Sequence, residues 1–331
     1  MVSVYFLSTE TMGIKGLSTY VKNSGRRGSS TITLASLRGM RVVVDASIYM
    51  YRYQAQDDLV GGMYAMVSLL EHHGIELHFV FDGSPPTEKF MALEERKMQR
   101  QEARNELARL EKIVVGLPPA DARELNARIK RLQRQCTRLT DEDITSVKKL
   151  LTLMGIGYTV ADGEAERLCA KLVQCRVMDA CLSDDTDLFA YGCPRVLRYL
   201  SVLGETVIHY DYSAILQDLG MSPEEFRSVC VMAGTDYNRA TQGFSRAYSA
   251  FTRFKSSAAT ESFTNWLIGS DCGGDTIDEC EFWSAYLMYN LNDVDVPKVL
   301  QRRRGERLGY APTKNSDDLR TFLAEYDFLF P

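Results

Sequence analysis

Two short apolar runs that each end on an aspartate set the first constraint on the fold. Residues 40–45 (MRVVVD) and 76–82 (ELHFVFD) are apolar at nearly every interior position. Such runs suit strands of a parallel sheet covered on both faces. The stretch between them, to about Glu71, has a helical pattern, so the unit reads strand, helix, strand, a βαβ crossover. Ligand crevices form at the C-terminal edge of such sheets, where Asp45 and Asp82 stand.

The rest of the chain extends this pattern after an interruption. Pro85-Pro86 breaks the chain, and residues 89–115 then predict a long helix with sparse apolar positions (Phe90, Leu93, Leu107, Leu110). A Gly116-Leu-Pro-Pro turn follows, then an Arg-rich helix over 121–139, so the pair reads as an antiparallel helical hairpin. A helix over 141–154, a strand near 157–161, a helix from about Gly163 and a strand over 177–183 lead into Asp184-Asp185-Thr-Asp187. Residues 196–199 and 206–210 suit further strands. Ser222-Pro-Glu-Glu225 combines a cap, an N1 proline and a capping-box glutamate, so a helix starts there and ends at Gly234. A second helix, over about 245–254, follows a loop at 235–244.

Composition narrows the function classes. A chain of 331 residues can bury a full core and carry about two domain-sized units. No apolar run reaches the ~18 residues of a membrane span, and the N-terminus lacks a signal-peptide pattern, so a soluble intracellular protein without a membrane partner is the expectation. Eight cysteines form no C-x-x-C pair, which argues against structural zinc and for reduced thiols. The formal charge is −5, yet residues 89–138 hold thirteen basic and seven acidic side chains. A basic segment on an acidic body calls for an anionic partner.

Seven carboxylates fall at strand and helix ends: Asp45, Asp82, Glu164, Glu166, Asp185, Asp187 and Asp236. Singly, each has an ordinary reading as a turn former, a cap or a complement to a helix dipole. Converging on one sheet edge, they would repel unless cations neutralised them. Oxygen ligands without clustered histidines favour Mg²⁺, with Mn²⁺ as substitute. Two such ions, roughly 3.5–4 Å apart, suit in-line phosphodiester hydrolysis, one at the attacking water and one at the leaving oxygen.

The strings MGIKGL (12–17), VVVDAS (42–47), FVFDGSPP (79–86), LLTLMGIGY (150–158), GEAERLCA (163–170), SDDTDLFAYG (183–192) and GTDY (234–237) occur in this order. Together they resemble the flap endonuclease/XPG family of structure-specific 5′ nucleases over residues 12 to about 255. The resemblance implies an α/β fold with a mixed, mainly parallel central sheet flanked by helices, a PIN-like 5′-nuclease core with a helical arch and a helix–two-turn–helix DNA-binding element. It divides the chain into an N-terminal extension (1–11), an N-terminal nuclease half (12–87), the arch (88–139), an internal nuclease half (140–256, with the helix–two-turn–helix at about 222–255) and a divergent C-terminal region (257–331).

The same resemblance implies roles. Asp45, Asp82, Glu164 and Glu166 would hold the first ion, and Asp185, Asp187 and Asp236 would hold or orient the second; Asp184 matches no ligand. Lys89 and Arg96, at the arch base, would stabilise charge on the scissile phosphate, although a solvated helix face is the plainer reading of two basic residues. Tyr51 would stack on a substrate base; otherwise it reads as a core tyrosine. Gly13, Lys15, Arg100, Arg104, Gly243, Ser245 and Arg246 would contact DNA, and the loop at 235–244 would bind a monovalent cation. The implied reaction is hydrolysis of DNA phosphodiesters at single-strand/duplex junctions in replication, repair or recombination, with 5′→3′ exonuclease activity.

Some features depart from the family pattern. Eleven residues precede the MGI string, which fits translation from Met12 or a displaced extension. Only 36 residues separate Asp45 from Asp82, so a preference for a 3′ flap nucleotide is not expected. Ser245 stands where relatives often have glycine, altering the monovalent site. No clear sliding-clamp motif is found; residues 326–330 are too loose a match. Compactness and divergence suit a virus-encoded member, acting in a nucleus or at a viral replication site. Within the family, an exonuclease or a Holliday-junction resolvase is the alternative; an RNA flap is an alternative substrate; from another class, a non-catalytic DNA-binding scaffold.

Overall fold

The computed structural model describes residues 13–24, 27–114, 122–240, 242–257, 259–269, 278–300 and 316–328. The extension at 1–11, the turn at 116–119 and residues 329–330 of the clamp-motif candidate lie outside them.

Alternation along each strand explains why the apolar runs are continuous. Strand β1 is Ser29–Thr33, and β2, Arg41–Asp45, sends Val43 to one core and Val42 and Val44 to the other. Likewise β3, Glu76–Phe81, sends Val80 to the first core and Phe79 and Phe81 to the second. Successive side chains point to opposite faces, so a strand buried on both must be apolar throughout. With β4 (Gly157–Val160), β5 (Ala180–Leu182), β6 (Arg195–Ser201) and β7 (Thr206–Asp211), these form a seven-stranded sheet ordered β1-β7-β6-β5-β2-β3-β4. Strands β6 to β4 are parallel, and β7 and β1 join antiparallel. The expected mixed, mainly parallel sheet is thus present, with an edge strand β1 that its polar sequence concealed.

Two elements differ from the sequence reading, and the helical hairpin agrees with it. The helical stretch after Asp45 is two helices, α2 (Ala46–Gln54) and α3 (Leu59–His72), separated at Asp57, whose φ of 57° ends the first. The strand expected over 177–183 keeps only β5, because the amides of Val177 and Met178 are taken by the Leu172 carbonyl as the preceding helix closes. The hairpin is α4 (Phe90–Val114) and α5 (Ala122–Cys136), with Ala103, Ile129 and Leu132 buried.

The remaining helices flank the sheet. Helix α6 (Asp141–Leu153) has a full capping box on Thr140, and α7 (Ala165–Gln174) starts at Glu164. Helices α8 (Asp187–Ala190), α9 (Tyr212–Leu219), α10 (Pro223–Ala233) and α11 (Phe244–Ser256) follow, with α1 (Leu17–Ser24) packed on α11. In the divergent region lie α12 (Phe263–Gly269), α13 (Glu279–Met288) and α14 (Ser316–Ala324). The last of these returns to the far core, where Phe322 and Leu323 are buried with α3 and α6 residues.

Candidate metal and nucleic-acid site

Strand topology brings the acidic residues to one edge. Asp45 ends β2, Asp82 follows β3, and Asp185 and Asp187 follow β5; these three parallel strands are neighbours. Asp45 caps α2: its Oδ1 accepts from the Ser47 amide at 3.2 Å and its Oδ2 from the Ser183 hydroxyl at 3.0 Å. Asp82 Oδ1 accepts from the Ala165 amide at 2.8 Å, and its Oδ2 from the Ser47 hydroxyl. The Ala165 bond ties the end of β3 to the first turn of α7, where Glu164 and Glu166 stand. Asp185 Oδ1 accepts from the Asp187 amide at 2.9 Å, a tight turn that aims both carboxylates the same way.

Cations from the arch base meet this edge. The Lys89 ammonium donates to Glu164 and lies 3.3 Å from Asp236 Oδ2 and 3.7 Å from Glu166 Oε1. Arg96 Nη2 donates to Asp236 Oδ2 at 2.6 Å. So Asp236, on the loop after α10, joins the cluster through both basic residues. Burial works against the Lys89 charge, but Glu166, Glu164 and Asp236 outweigh it and raise its pKa.

The carboxylates are short of positive charge. Burial first, then Asp82 and Asp185, push Asp45 up to about 8. Burial and acidic neighbours also raise Glu166 and Asp187, and burial raises Asp185. Asp187 Oδ1 is buried without a hydrogen-bond partner. Gly13 lies so close that a Cβ there would stand 2.5 Å from Asp185 Oδ1 and 2.8 Å from Asp187 Oδ1; its φ of 73° also favours glycine. Among the described residues, no three acidic, histidine or cysteine side chains form a finished metal cage. An all-oxygen donor set with an orphaned oxygen and raised carboxylate pKa values nonetheless suits hard divalent cations.

The other sequence candidates fall in three places. Tyr51 is 39% exposed on α2, not a core residue. Arg100 donates to the Arg96 carbonyl at 3.2 Å, and Arg104 is exposed further along α4. Lys15, Gly243, Ser245 and Arg246 gather at the helix–two-turn–helix. Lys15 N–H donates to the Gly234 carbonyl, its own carbonyl accepts from the Phe244 amide at 2.8 Å, and its ammonium reaches the Ala240 carbonyl at 3.1 Å. Gly234 is required by approach: a Cβ would stand 2.1 Å from the Ala240 oxygen. Ser245 and Arg246 are exposed on the first turn of α11; residue 241 of this loop lies outside the described residues.

Several supporting residues were not singled out by sequence. Ser47, Ser183 and Tyr237 sat unremarked inside quoted strings; Tyr237 donates to Glu164 and shares a 2.8 Å hydrogen bond with Tyr191. Asp184 faces away from the edge, accepting from the Tyr199 amide at 2.7 Å and from Arg52. Its carbonyl accepts from the buried Arg198 guanidinium at 2.7 Å. Tyr289, which donates to Asp187 Oδ2 at 3.2 Å, carried no sequence signal. Of the four histidines, His78 on β3 is paired with Thr159 on β4 at 2.9 Å.

The XPG N-terminal domain matches residues 12–103, and the XPG I-region matches residues 155–236. Flap endonuclease 1 of Entamoeba dispar is 30% identical over 267 residues, covering 74% of this chain and 68% of the relative. Flap endonuclease 1 of Xenopus tropicalis is 30% identical over 251 residues, covering 70% of this chain; the chain spans only 63% of that relative. Among solved structures, the catalytic core of Rad2 in complex with DNA substrate has a TM-score of 0.65 at 22% identity, covering 93% of this chain and 94% of that one. Flap endonuclease-1 from Methanococcus jannaschii has a TM-score of 0.59 at 22% identity, covering 91% of each chain. At these identities the structural likenesses establish the fold.

Proposed function

The chain belongs to the flap endonuclease/XPG family, and from that premise we propose that it is a structure-specific 5′ nuclease cutting DNA at single-strand/duplex junctions. The observation that carries this reading is the convergence of seven carboxylates, several held above their ordinary pKa, on one edge reached by Lys89 and Arg96. A scaffold has no need to concentrate such repulsive charge.

Asp45, Asp82, Glu164 and Glu166 would hold one Mg²⁺, and Asp185, Asp187 and Asp236 a second, with Mn²⁺ as substitute. Bound there, divalent ions supply Lewis-acid stabilisation of the attacking and leaving oxygens. Lys89 and Arg96 neutralise charge developing on the scissile phosphate. Water adds to phosphorus and gives up a proton to solvent, the bond to the 3′ oxygen breaks, and that oxygen takes up a proton from solvent, leaving a 5′-phosphate and a 3′-hydroxyl. Unpairing of terminal nucleotides brings the phosphate to the edge, as enzymes acting on stacked nucleic acid require, and exposed Tyr51 offers a ring for stacking.

The exposed first turn of α11, with Ser245 and Arg246, grips the duplex backbone through helix N-terminal amides. A monovalent ion at that loop would meet the Lys15 ammonium already on the Ala240 carbonyl. The arch, with its basic excess, receives the 5′ single strand.

A labelled panel of 5′ flap, nicked duplex, blunt duplex and four-way junction in Mg²⁺ tests this reading. Fastest cleavage of the flap is expected. Preference for the four-way junction would move the chain to the resolvase branch, and tight binding without cutting in Mg²⁺ or Mn²⁺ would leave a scaffold. Matched DNA and RNA flaps in competition settle the sugar preference.

A further inference from the structure

Tyr289 closes α13, in the divergent region, yet its hydroxyl reaches the acidic edge. The side chain is fully buried and donates to Asp187 Oδ2 at 3.2 Å. Its ring packs on Tyr191 and Tyr237, with centroids 4.8 and 5.4 Å away, and Tyr237 donates to Glu164. Two tyrosine hydroxyls in one ring cluster therefore fix a carboxylate after β5 and another at the start of α7.

The chain just after Tyr289 is strapped to that same helix. From α7, Arg167 Nη2 donates to both Asp293 oxygens, at 2.8 and 3.0 Å, and to the Asn290 carbonyl at 3.1 Å. One turn later, Lys171 Nζ donates to the Leu291 carbonyl at 2.8 Å. The first turn of α7 carries Glu164 and Glu166, so strap and carboxylates share one rigid support.

Asp187 thus has one oxygen pinned by Tyr289 and the other, Oδ1, buried and without a hydrogen-bond partner. A hydrogen bond to one oxygen of a carboxylate fixes the direction of the other, which is how outer residues orient metal ligands. Resting on the nuclease reading above, we propose that Tyr289 is a positioning residue for Asp187. The 289–293 strap brings the C-terminal region into the site, where it aims Asp187 Oδ1 at the divalent ion held with Asp185 and Asp236.

Tyr289→Phe keeps the ring and deletes the hydroxyl. Direct titration of the full chain with Mn²⁺, reading free ion by electron paramagnetic resonance without DNA, is expected to show one site weakened about tenfold. The melting temperature in EDTA should stay within about 2 °C of wild type. In Mg²⁺, kcat on a 5′ flap should fall while KM holds. An Mn²⁺ isotherm equal to wild type overturns the proposal, as does a large drop in melting temperature, which would assign the hydroxyl to folding. Should that variant not fold, Asp293→Asn carries the test, with a smaller weakening of the same site expected and an unchanged isotherm overturning it. A wild type that binds Mn²⁺ but cuts no DNA removes the nuclease reading and leaves the Mn²⁺ comparison standing.

Discussion

Lys89 is the residue on which the electrostatics of the site turn. Its ammonium stands among Glu164, Glu166 and Asp236, so it serves the acidic cluster before any phosphate arrives. Lys89→Met is expected to lower kcat on a 5′ flap by about 10²–10³, the usual cost of losing one charge-stabilising donor. Flap binding measured in Ca²⁺ should change by only a few fold, and an equal loss in binding would make Lys89 a docking residue instead. The carboxylates give a pH signature. With Asp45 held near 8, and Glu166, Asp185 and Asp187 also raised, the folded metal-free protein keeps protons that the unfolded chain has released. Its stability therefore falls as pH rises from about 4 toward 8. Burial lowers His78 to about 4 and lowers His209, which acts in the opposite sense below pH 6.5, where the unfolded chain takes up protons. Between pH 6.5 and 8, protein in EDTA should melt at progressively lower temperature, and Mg²⁺ should raise the melting point more at the upper end. A melting temperature that climbs with pH in EDTA would contradict the charge-crowded site.

Among the elements, α4 runs outward from the acidic edge, with Lys89 just before it and Arg96 on its second turn. Arg104 lies eight residues beyond Arg96, roughly 12 Å along the helix, so it can meet a single strand leaving the site without touching the carboxylates. Replacing Arg100 and Arg104 by alanine should flatten the salt dependence of flap binding by about 1.4 in log–log slope, two single-strand phosphate contacts at about 0.7 each. An unchanged slope would place the strand elsewhere. Helices α2 and α3 are joined by residues 55–58 alone, which leaves little chain for a 3′-end pocket. Adding one 3′ nucleotide to a flap substrate should not speed cleavage; a sharp rise would show such a pocket built from other elements. Helix α14 is part of the core despite its distance in sequence. Leu323 is fully buried beside α3 and α6 residues, so Leu323→Ala should cost about 2–5 kcal/mol in urea unfolding.

At the scale of the whole molecule, what was legible followed physical range. The apolar runs of β2 and β3 and the cap of α10 are local, and they announced the sheet, its carboxylate edge and a helix start. Asp45, Asp82, Asp185 and Asp187 were readable because strand ends of a parallel sheet share one edge. Asp236 was readable as a carboxylate just past a helix end and in the GTDY string, but its contacts were not, since Lys89 and Arg96 reach it from across the hairpin. Strand β1 was hidden by its polar sequence: it pairs only with β7, at the sheet margin, so burial imposes no apolar pattern on it. Tyr289 and Leu323 left no trace because Asp187 lies 102 residues from Tyr289, and α3 and α6 still further from Leu323, so nothing nearby records such a contact. We propose the acidic edge as a divalent-dependent cutting centre for branched DNA. Cleavage and binding of one labelled 5′-flap duplex, measured together for the wild type and Asp187→Ala in Mg²⁺, tests it most directly. The expected result is junction cleavage by the wild type, abolished by EDTA and lost in the variant while binding persists; cleavage that survives in Asp187→Ala at the wild-type rate would contradict it.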